Sequence, residues 1–242
     1  MLACKLDSSY FNVLMKDIYN GKFYPVFQPI FSTDNRRIVG YEVLGRWDNA
    51  HSVEQSMKYL EENNGINYFS RMFMKKLCMV LDHKSIEKEM FISINISPSH
   101  LASHLFLLDT FKIIRKCQDL GIHLWFELTE HTSYPKGEEF NLMILNINFC
   151  KSSGVKFAID DFGTGAHHDE ECIKIVKPSI VKLDKAFLRK KEISEWNGIN
   201  NLASKYKFDL VAEGVEGLSD WEFLKEQKVN FAQGYYLGRP YQ

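Results

Sequence analysis

Two aspartates stand side by side in the stretch FAIDDFGTG, residues 157–165, at the end of an apolar run and just before a glycine-rich turn. Neighbouring side chains of a strand point to opposite faces, so adjacent carboxylates where a strand runs out need a reason. Other short apolar or alternating runs also carry a polar or acidic residue: Glu42, Asn95, Glu127 and Glu130, Lys182 and Asp184, Glu213 and Glu216, and Gln233. Buried unpaired carboxylates are costly, so a ring of them calls for cations. Carboxylates with an amide oxygen suit hard ions, Mg²⁺, Mn²⁺ or Ca²⁺. No histidine ends these runs, which disfavours zinc or iron. Where the backbone leaves its pleat, Asp160 and Asp161 can both turn toward one mouth. One can bridge two cations while the other holds the second alone. Two hard cations about 3.5–4 Å apart drive in-line phosphoryl displacement, with Arg46 and Lys182 supplying further positive charge. Rim salt bridges would account for one or two of these residues but not for the ring. The pair His167–His168 reads as an exposed loop pair.

The elements that must hold this ring follow from periodicity. Residues 8–20 carry Phe11, Leu14, Met15 and Ile18 at helical spacing, with Ser8 or Ser9 as cap and Gly21 as stop. Eight strand candidates follow: YPVFQPI, RIVGYEVLGRW, MFISINIS, HLWFELTE, VKFAIDDF, SIVKLD, FDLVAEGV and FAQGYYLG. Helical patterns at 68–82, 105–119, 138–152, 188–205 and 219–228 separate most of them. Strands alternating with helices imply parallel βα units and, at eight strands, a closed barrel. Only FSTDNR joins the first two strands, and a parallel crossover needs a dozen residues or more. The expectation is a modified (β/α)8 TIM barrel, of the α/β class, with its first strand antiparallel. Chemistry in such barrels gathers at the C-terminal ends of the parallel strands.

Composition narrows the rest. The chain has 242 residues, 45% of them hydrophobic, and a formal net charge of -1. This suffices for one core and argues against a polyanion-binding surface. No run is long and apolar enough for a membrane span, and the N-terminus lacks the apolar core of a signal peptide. Cys4, Cys78, Cys117, Cys150 and Cys172 are scattered singly, which fits reduced thiols in a cytoplasmic protein rather than a disulfide framework. The reading is one domain over residues 1–242, with the helix at about 8–20 packed on the barrel. Met1 and that helix fit a stand-alone protein better than the cut-out end of a larger one. The 18 Phe and 11 Tyr read as core packing, although Tyr235 beside Gln233 could line a pocket.

These motifs resemble the EAL domain family, the bacterial phosphodiesterases of cyclic di-GMP. EVLGRW, residues 42–47, corresponds to the family's E-A-L-L-R-W, and FQPI to Y-Q-P-I. SINIS corresponds to S-V-N-x-S, FELTE to E-x-T-E, IDDFGTG to D-D-F-G-T-G and VKLD to K-I-D. VAEGVE is the family's own string, and QGYYLGRP matches Q-G-Y-x-x-x-x-P. The resemblance runs from about residue 22 to the C-terminus, in family order.

The resemblance implies a metal-dependent hydrolysis of cyclic di-GMP to linear pGpG, with Mg²⁺ or Mn²⁺ in a two-metal site and Ca²⁺ inhibitory. Glu42, Asn95, Glu127 and Asp160 would hold the first ion. Asp160 would bridge to a second, held with Asp161 and Glu213. Lys182 would position the attacking water or help deprotonate it, placing Glu42, Lys182 and Glu213 in the catalytic set. Gln233 would contact the site water or carboxylates, and Gln28, Leu44, Arg46 and Tyr235 would join it in contacting the substrate. Glu130 would steady the DFGTG loop, which in the family touches the dimer surface, so a homodimer is expected and a regulatory protein partner is possible. Long nucleic acid and membrane are not expected partners. The chain departs from the family at Val43 for alanine, at Gly45 for leucine, at AHHDEE in place of Y-S-S-L, and in DNAHSVEQSMKYL, which lacks the usual linker. The altered loop motivates an alternative: a catalytically weak EAL module that binds cyclic di-GMP or a protein as a regulator. An unrelated metal-dependent barrel acting on sugar phosphates is a third reading.

Overall fold

A computed structural model describes residues 8–47, 52–129, 133–163 and 169–242. Glu130 and His167–His168 lie outside the described residues. Eight strands close into a barrel in sequence order: β1 (Phe23–Ser32), β2 (Ile38–Trp47), β3 (Phe91–Ile96), β4 (His123–Leu128), β5 (Lys156–Phe162), β6 (Ile180–Leu183), β7 (Asp209–Ala212) and β8 (Phe231–Ala232). β1 is antiparallel to both neighbours, and the other pairings are parallel. The short connection after β1 forms a hairpin, with Arg36 at φ 56° and the Arg37 N–H donating to Asn35 Oδ1 at 3.0 Å. Outside the strands lie α1 (Ser8–Tyr19), α2 (Val53–Glu62), α3 (Ile66–Leu81), α4 (Pro98–Leu101), α5 (Phe106–Leu120), α6 (Gly137–Ser152), α7 (Glu170–Val176), α8 (Lys185–Lys190), α9 (Ile193–Tyr206) and α10 (Leu218–Glu226). Leu14 and Ile18 of α1 are buried in the main core.

Three expectations need correction. The pattern at 188–205 is two helices, because Lys191 sits in the left-handed region at φ 48° and ends α8. The eighth strand has two residues rather than eight. A Cβ on Gly234 would lie 2.2 Å from the Val215 backbone nitrogen, so the chain turns there against backbone instead of continuing its ladder. It returns at Tyr241, which exchanges two backbone hydrogen bonds with Phe27. Finally, α2, α4 and α7 are additional to the helices expected.

Inside the barrel the strands read in steps of two. One layer is apolar: Ile30, Phe91, Trp125, Ala158, Ile180 and Val211, with Val39 and Phe231 packed on it. The Phe91 and Trp125 rings stack with centroids 3.4 Å apart. Gly40 leaves room for them, since a Cβ there would lie 2.5 Å from the Phe91 ring. Two residues along each strand the layer turns polar. Ile30 gives way to Gln28 on the reversed strand, Gly40 to Glu42 and Trp125 to Glu127. Ala158 gives way to Asp160, Ile180 to Lys182, Val211 to Glu213 and Phe231 to Gln233. The register pairs Gln28 with Glu42 and Asn95 with Glu127.

β5 breaks step where the two aspartates stand. Ile159 pairs with Val181 and Phe162 with Leu183, so Asp160 and Asp161 together oppose Lys182. This is a β-bulge, a device that re-aims side chains. Asp161 takes φ 45°, a left-handed conformation that aspartate tolerates better than most residues. Both aspartates line the cavity described next.

Candidate active site

Lys182 occupies the centre of the polar layer. Its Nζ lies 2.7 Å from Glu213 Oε1, 2.8 Å from Glu127 Oε2, 2.8 Å from Asp160 Oδ1 and 3.4 Å from Glu42 Oε1. Glu42 also accepts from Gln233 Nε2 at 2.7 Å and from Asn95 Nδ2 at 3.3 Å. Each strand from β2 to β6 thus delivers one polar side chain to this cluster, and Glu213 and Gln233 directly follow β7 and β8.

Burial and neighbouring charge divide the carboxyls. Burial opposes ionisation of Glu42, but Lys182 and the hydrogen bonds from Gln233 and Asn95 hold it below the ordinary range. Glu127 is pushed up to about 8, by burial first, with Glu42 and Asp160 adding repulsion against the pull of Lys182. Glu213 is raised well above the ordinary value by burial and then by Asp160, Glu42 and Asp161, against Lys182. Its side chain keeps 25% exposure, so water tempers that shift. Burial disfavours the charged form of Lys182, yet Asp160, Glu127, Glu213 and Glu42 together raise its pKa well above the usual lysine value. Lys182 is therefore an ammonium donor in this structure.

The donor chemistry fits a hard divalent ion. Asn95 Oδ1, Glu127 Oε1 and Gln233 Oε1 are buried with no hydrogen-bond partner among the described residues. Oxygen acceptors left over beside clustered carboxylates suit Mg²⁺, Mn²⁺ or Ca²⁺. Among the described residues no three His, Cys, Asp or Glu side chains form a ready-made ligand set; Glu42, Glu127, Asp160 and Glu213 close on the Lys182 ammonium instead, so an ion would share their oxygens with it.

A cavity of about 490 Å³ opens on the cluster, lined by Glu42, Asn95, Asp160 and Asp161 at its acidic end and by Leu44 and Arg46 of β2. Arg46 Nη1 donates to the Gly45 carbonyl at 2.8 Å. Gln28 is buried beside Glu42, and its Nε2 donates to the Gly238 carbonyl at 3.4 Å. Tyr235 is 61% exposed and is not part of this lining; its ring carries the Arg239 guanidinium at 4.3 Å. Two further strand-end acids make contacts of their own, and Asp184 also lines this cavity. Asp184 caps α8, accepting from the Ala186 N–H at 2.7 Å. Glu216 pairs with Arg189 at 2.8 Å on the surface.

The sequence reading missed one wall of the cavity: Met57 of α2 and Phe69, Ser70 and Phe73 of α3, with Ser97 and Thr129. A signal for α2 was available. Ser52-Val53-Glu54-Gln55 is a capping box, and Ser52 Oγ accepts from the Gln55 N–H at 3.4 Å. The four free cysteines among the described residues are buried or half-buried.

A closed barrel with one reversed strand and a carboxylate-ringed mouth is a (β/α)8-type scaffold with its polar residues where such folds place their chemistry. The EAL domain profile matches residues 12–240, and the chain belongs to the EAL domain family. The probable cyclic di-GMP phosphodiesterase PdeN of Escherichia coli (strain K12) is 29% identical over 240 residues, covering 94% of this chain and 45% of that protein. The cyclic di-GMP phosphodiesterase PdeL of the same organism is 27% identical over 250 residues, covering 97% of this chain and 68% of that protein. A crystal structure of the Bacillus subtilis YkuI protein, with an EAL domain, in complex with substrate c-di-GMP and calcium, matches with a TM-score of 0.74 at 20% identity, covering 95% of this chain and 57% of that one. That likeness bears on the fold. The chain spans about half the length of the first curated relatives it matches.

Proposed function

We propose that this chain is a divalent-metal-dependent phosphodiesterase that hydrolyses cyclic di-GMP to linear pGpG, lowering a bacterial second messenger in the cytoplasm. The observation that carries the reading is the convergence of Glu42, Glu127, Asp160 and Glu213 on Lys182, with Glu42 and Asp160 of that cluster lining an open cavity. Family membership, relatives named as cyclic di-GMP phosphodiesterases and a neighbour solved with c-di-GMP and calcium support it.

In this proposal Glu42, Asn95, Glu127 and Asp160 would hold one ion, and Asp161 and Glu213 with Asp160 would hold a second. The ions, Mg²⁺ or Mn²⁺ with Ca²⁺ inhibitory, would acidify the attacking water and offset charge on the phosphate. Lys182 donates a hydrogen bond that orients the water; its charged state suits that role better than a base. Glu213, partly open to solvent, is an acceptor 2.7 Å from the lysine. Arg46 offers a guanidinium to the phosphate and Leu44 lines the same cavity, while Gln28 and Gln233, buried beside Glu42, would complete the substrate contacts; Tyr235, outside that lining, would reach the substrate only by moving toward it. Glu130 steadies the loop after β5, and the protein acts as a homodimer.

The test is incubation of the purified chain with cyclic di-GMP and Mn²⁺ or Mg²⁺, read by chromatography. The intact protein is expected to yield pGpG, and Asp160→Ala to lose at least about 100-fold in rate, the scale of removing one preorganised electrostatic partner. Binding without turnover would replace this reading with the regulatory one. Neither binding nor turnover would overturn this reading and leave the protein-binding form of the regulatory one.

A further inference from the structure

The geometry points to Asp109 as a positioning residue that fixes two walls of the substrate cavity against each other. This inference rests on the proposed function for its meaning but has a readout of its own.

Asp109 lies on α5, outside the metal-binding cluster, and its side chain is only 7% exposed. Oδ1 accepts from Arg71 Nε of α3 at 2.7 Å, and Oδ2 accepts from His100 Nε2 of α4 at 3.1 Å. A carboxylate only accepts, so the Nε2 of His100 carries the proton. His100 is fully buried, with its Nδ1 lacking a hydrogen-bond partner among the described residues. Burial lowers its pKa, against the pull of Asp109, in keeping with a neutral ring. One carboxylate thus ties three helices together.

Two of those helices adjoin the cavity directly. Arg71 follows Ser70, and Phe69, Ser70 and Phe73 of α3 line it. His100 sits in the four-residue α4, whose N-cap is Ser97. Ser97 lines the same cavity, as does Asn95 two residues earlier on β3. The far end of α4 is locked from α6, where Asn146 Nδ2 donates to the Leu101 carbonyl at 2.7 Å. A helix this short has little stability of its own, so side-chain ties set its position. Buried ion pairs contribute little net stability compared with apolar packing of the same volume. What this one supplies is a fixed spacing between the α3 wall and the strand end that carries Asn95.

The test uses the full chain with Asp109→Asn, His100→Ala and His100→Gln. Glutamine can still donate to Asp109, so it is the rescuing substitution. The first readout, hydrogen–deuterium exchange, needs no ligand. Asp109→Asn and His100→Ala are expected to exchange at least about fivefold faster over residues 66–74 and 95–101, corresponding to local opening, with β5–β7 unchanged and His100→Gln close to the parent. The second readout is kinetic: KM for cyclic di-GMP rises about fivefold while kcat stays within about twofold, the pattern of lost binding rather than lost chemistry. Unchanged exchange, uniform acceleration across all strands, or a His100→Gln protein behaving like His100→Ala would overturn the clamp. So would a kcat loss with KM unchanged. If the parent neither binds nor hydrolyses the dinucleotide, the proposed function falls, and exchange alone decides the clamp. If Asp109→Asn does not fold, the two His100 variants decide it.

Discussion

Lys182 is a buried ammonium within 3.4 Å of four carboxyl groups. No single one of them would repay the cost of burying it; the set does. Removing it leaves clustered negative charge with no cation, and breaking a buried pair in this way costs about 3–5 kcal/mol. Lys182→Met is therefore expected to unfold at markedly lower urea concentration in EDTA, with Mg²⁺ or Mn²⁺ recovering part of the loss. Equal midpoints for variant and parent in EDTA would contradict the arrangement. The carboxyls also set a pH dependence. Between the ordinary value of 4.5 and about 8, the folded protein keeps a proton on Glu127 that the unfolded chain has released. That group's stabilisation is whole below the ordinary value and is lost as pH rises through about 8. Glu42 acts oppositely, its contribution fading as pH falls through its lowered pKa. Metal-free protein should therefore show a lower melting temperature near pH 8 than near pH 6.5, roughly the upper part of the window the raised group spans and above the range where buried His100, its pKa lowered, costs stability. A flat or rising profile would count against the raised carboxyl.

Among the elements, β5 and the β1–β2 hairpin were legible from residue order, whereas for β8 the place was legible and the length was not. A short polar connection excludes a parallel crossover whatever the rest of the fold does, so the reversed strand could be read directly. The paired aspartates likewise announced that the pleat is broken, which the bulge at Asp161 bears out. FAQGYYLG looked like a strand because its apolar residues are strand formers. Its turn is dictated by contact between Gly234 and the Val215 backbone, a neighbour that local pattern does not reveal. The four-residue α4 is held by Asp109 and Asn146 from other helices, so its own residues carry little signal. The convergence on Lys182 depends on barrel register and could not be read from spacing. Gly40 shows how tightly the interior layer is fitted. Gly40→Ala places a methyl 2.5 Å from the Phe91 ring and should destabilise by about 1–3 kcal/mol, the usual range for overpacking. Calorimetry would check this; an unchanged melting temperature would mean the aromatic stack yields.

On the scale of the whole molecule, closure depends on a narrow seam. β1 meets β8 at only two register pairs, Phe31 with Ala232 and Ser32 with Phe231. The chain end then adds Tyr241, whose backbone N–H and carbonyl both bond to Phe27, at 3.1 and 2.7 Å. Lys84 sits over both of these rings. A chain ending at Pro240 should therefore lose about 1–3 kcal/mol, from two backbone hydrogen bonds at 0.5–1.5 each, read as a lower melting temperature. No change would show that the seam closes without its tether. The apolar layer beneath the carboxylates has a further consequence. Ile30, Phe91, Trp125, Ala158, Ile180 and Val211 form a layer of low dielectric constant under the polar one, so the cluster is screened by water from the mouth alone. Its field is thereby focused outward, as the field of a charged electrode with an insulated back would be. Cations would be drawn in along a single approach, and their capture rate should fall steeply as ionic strength rises.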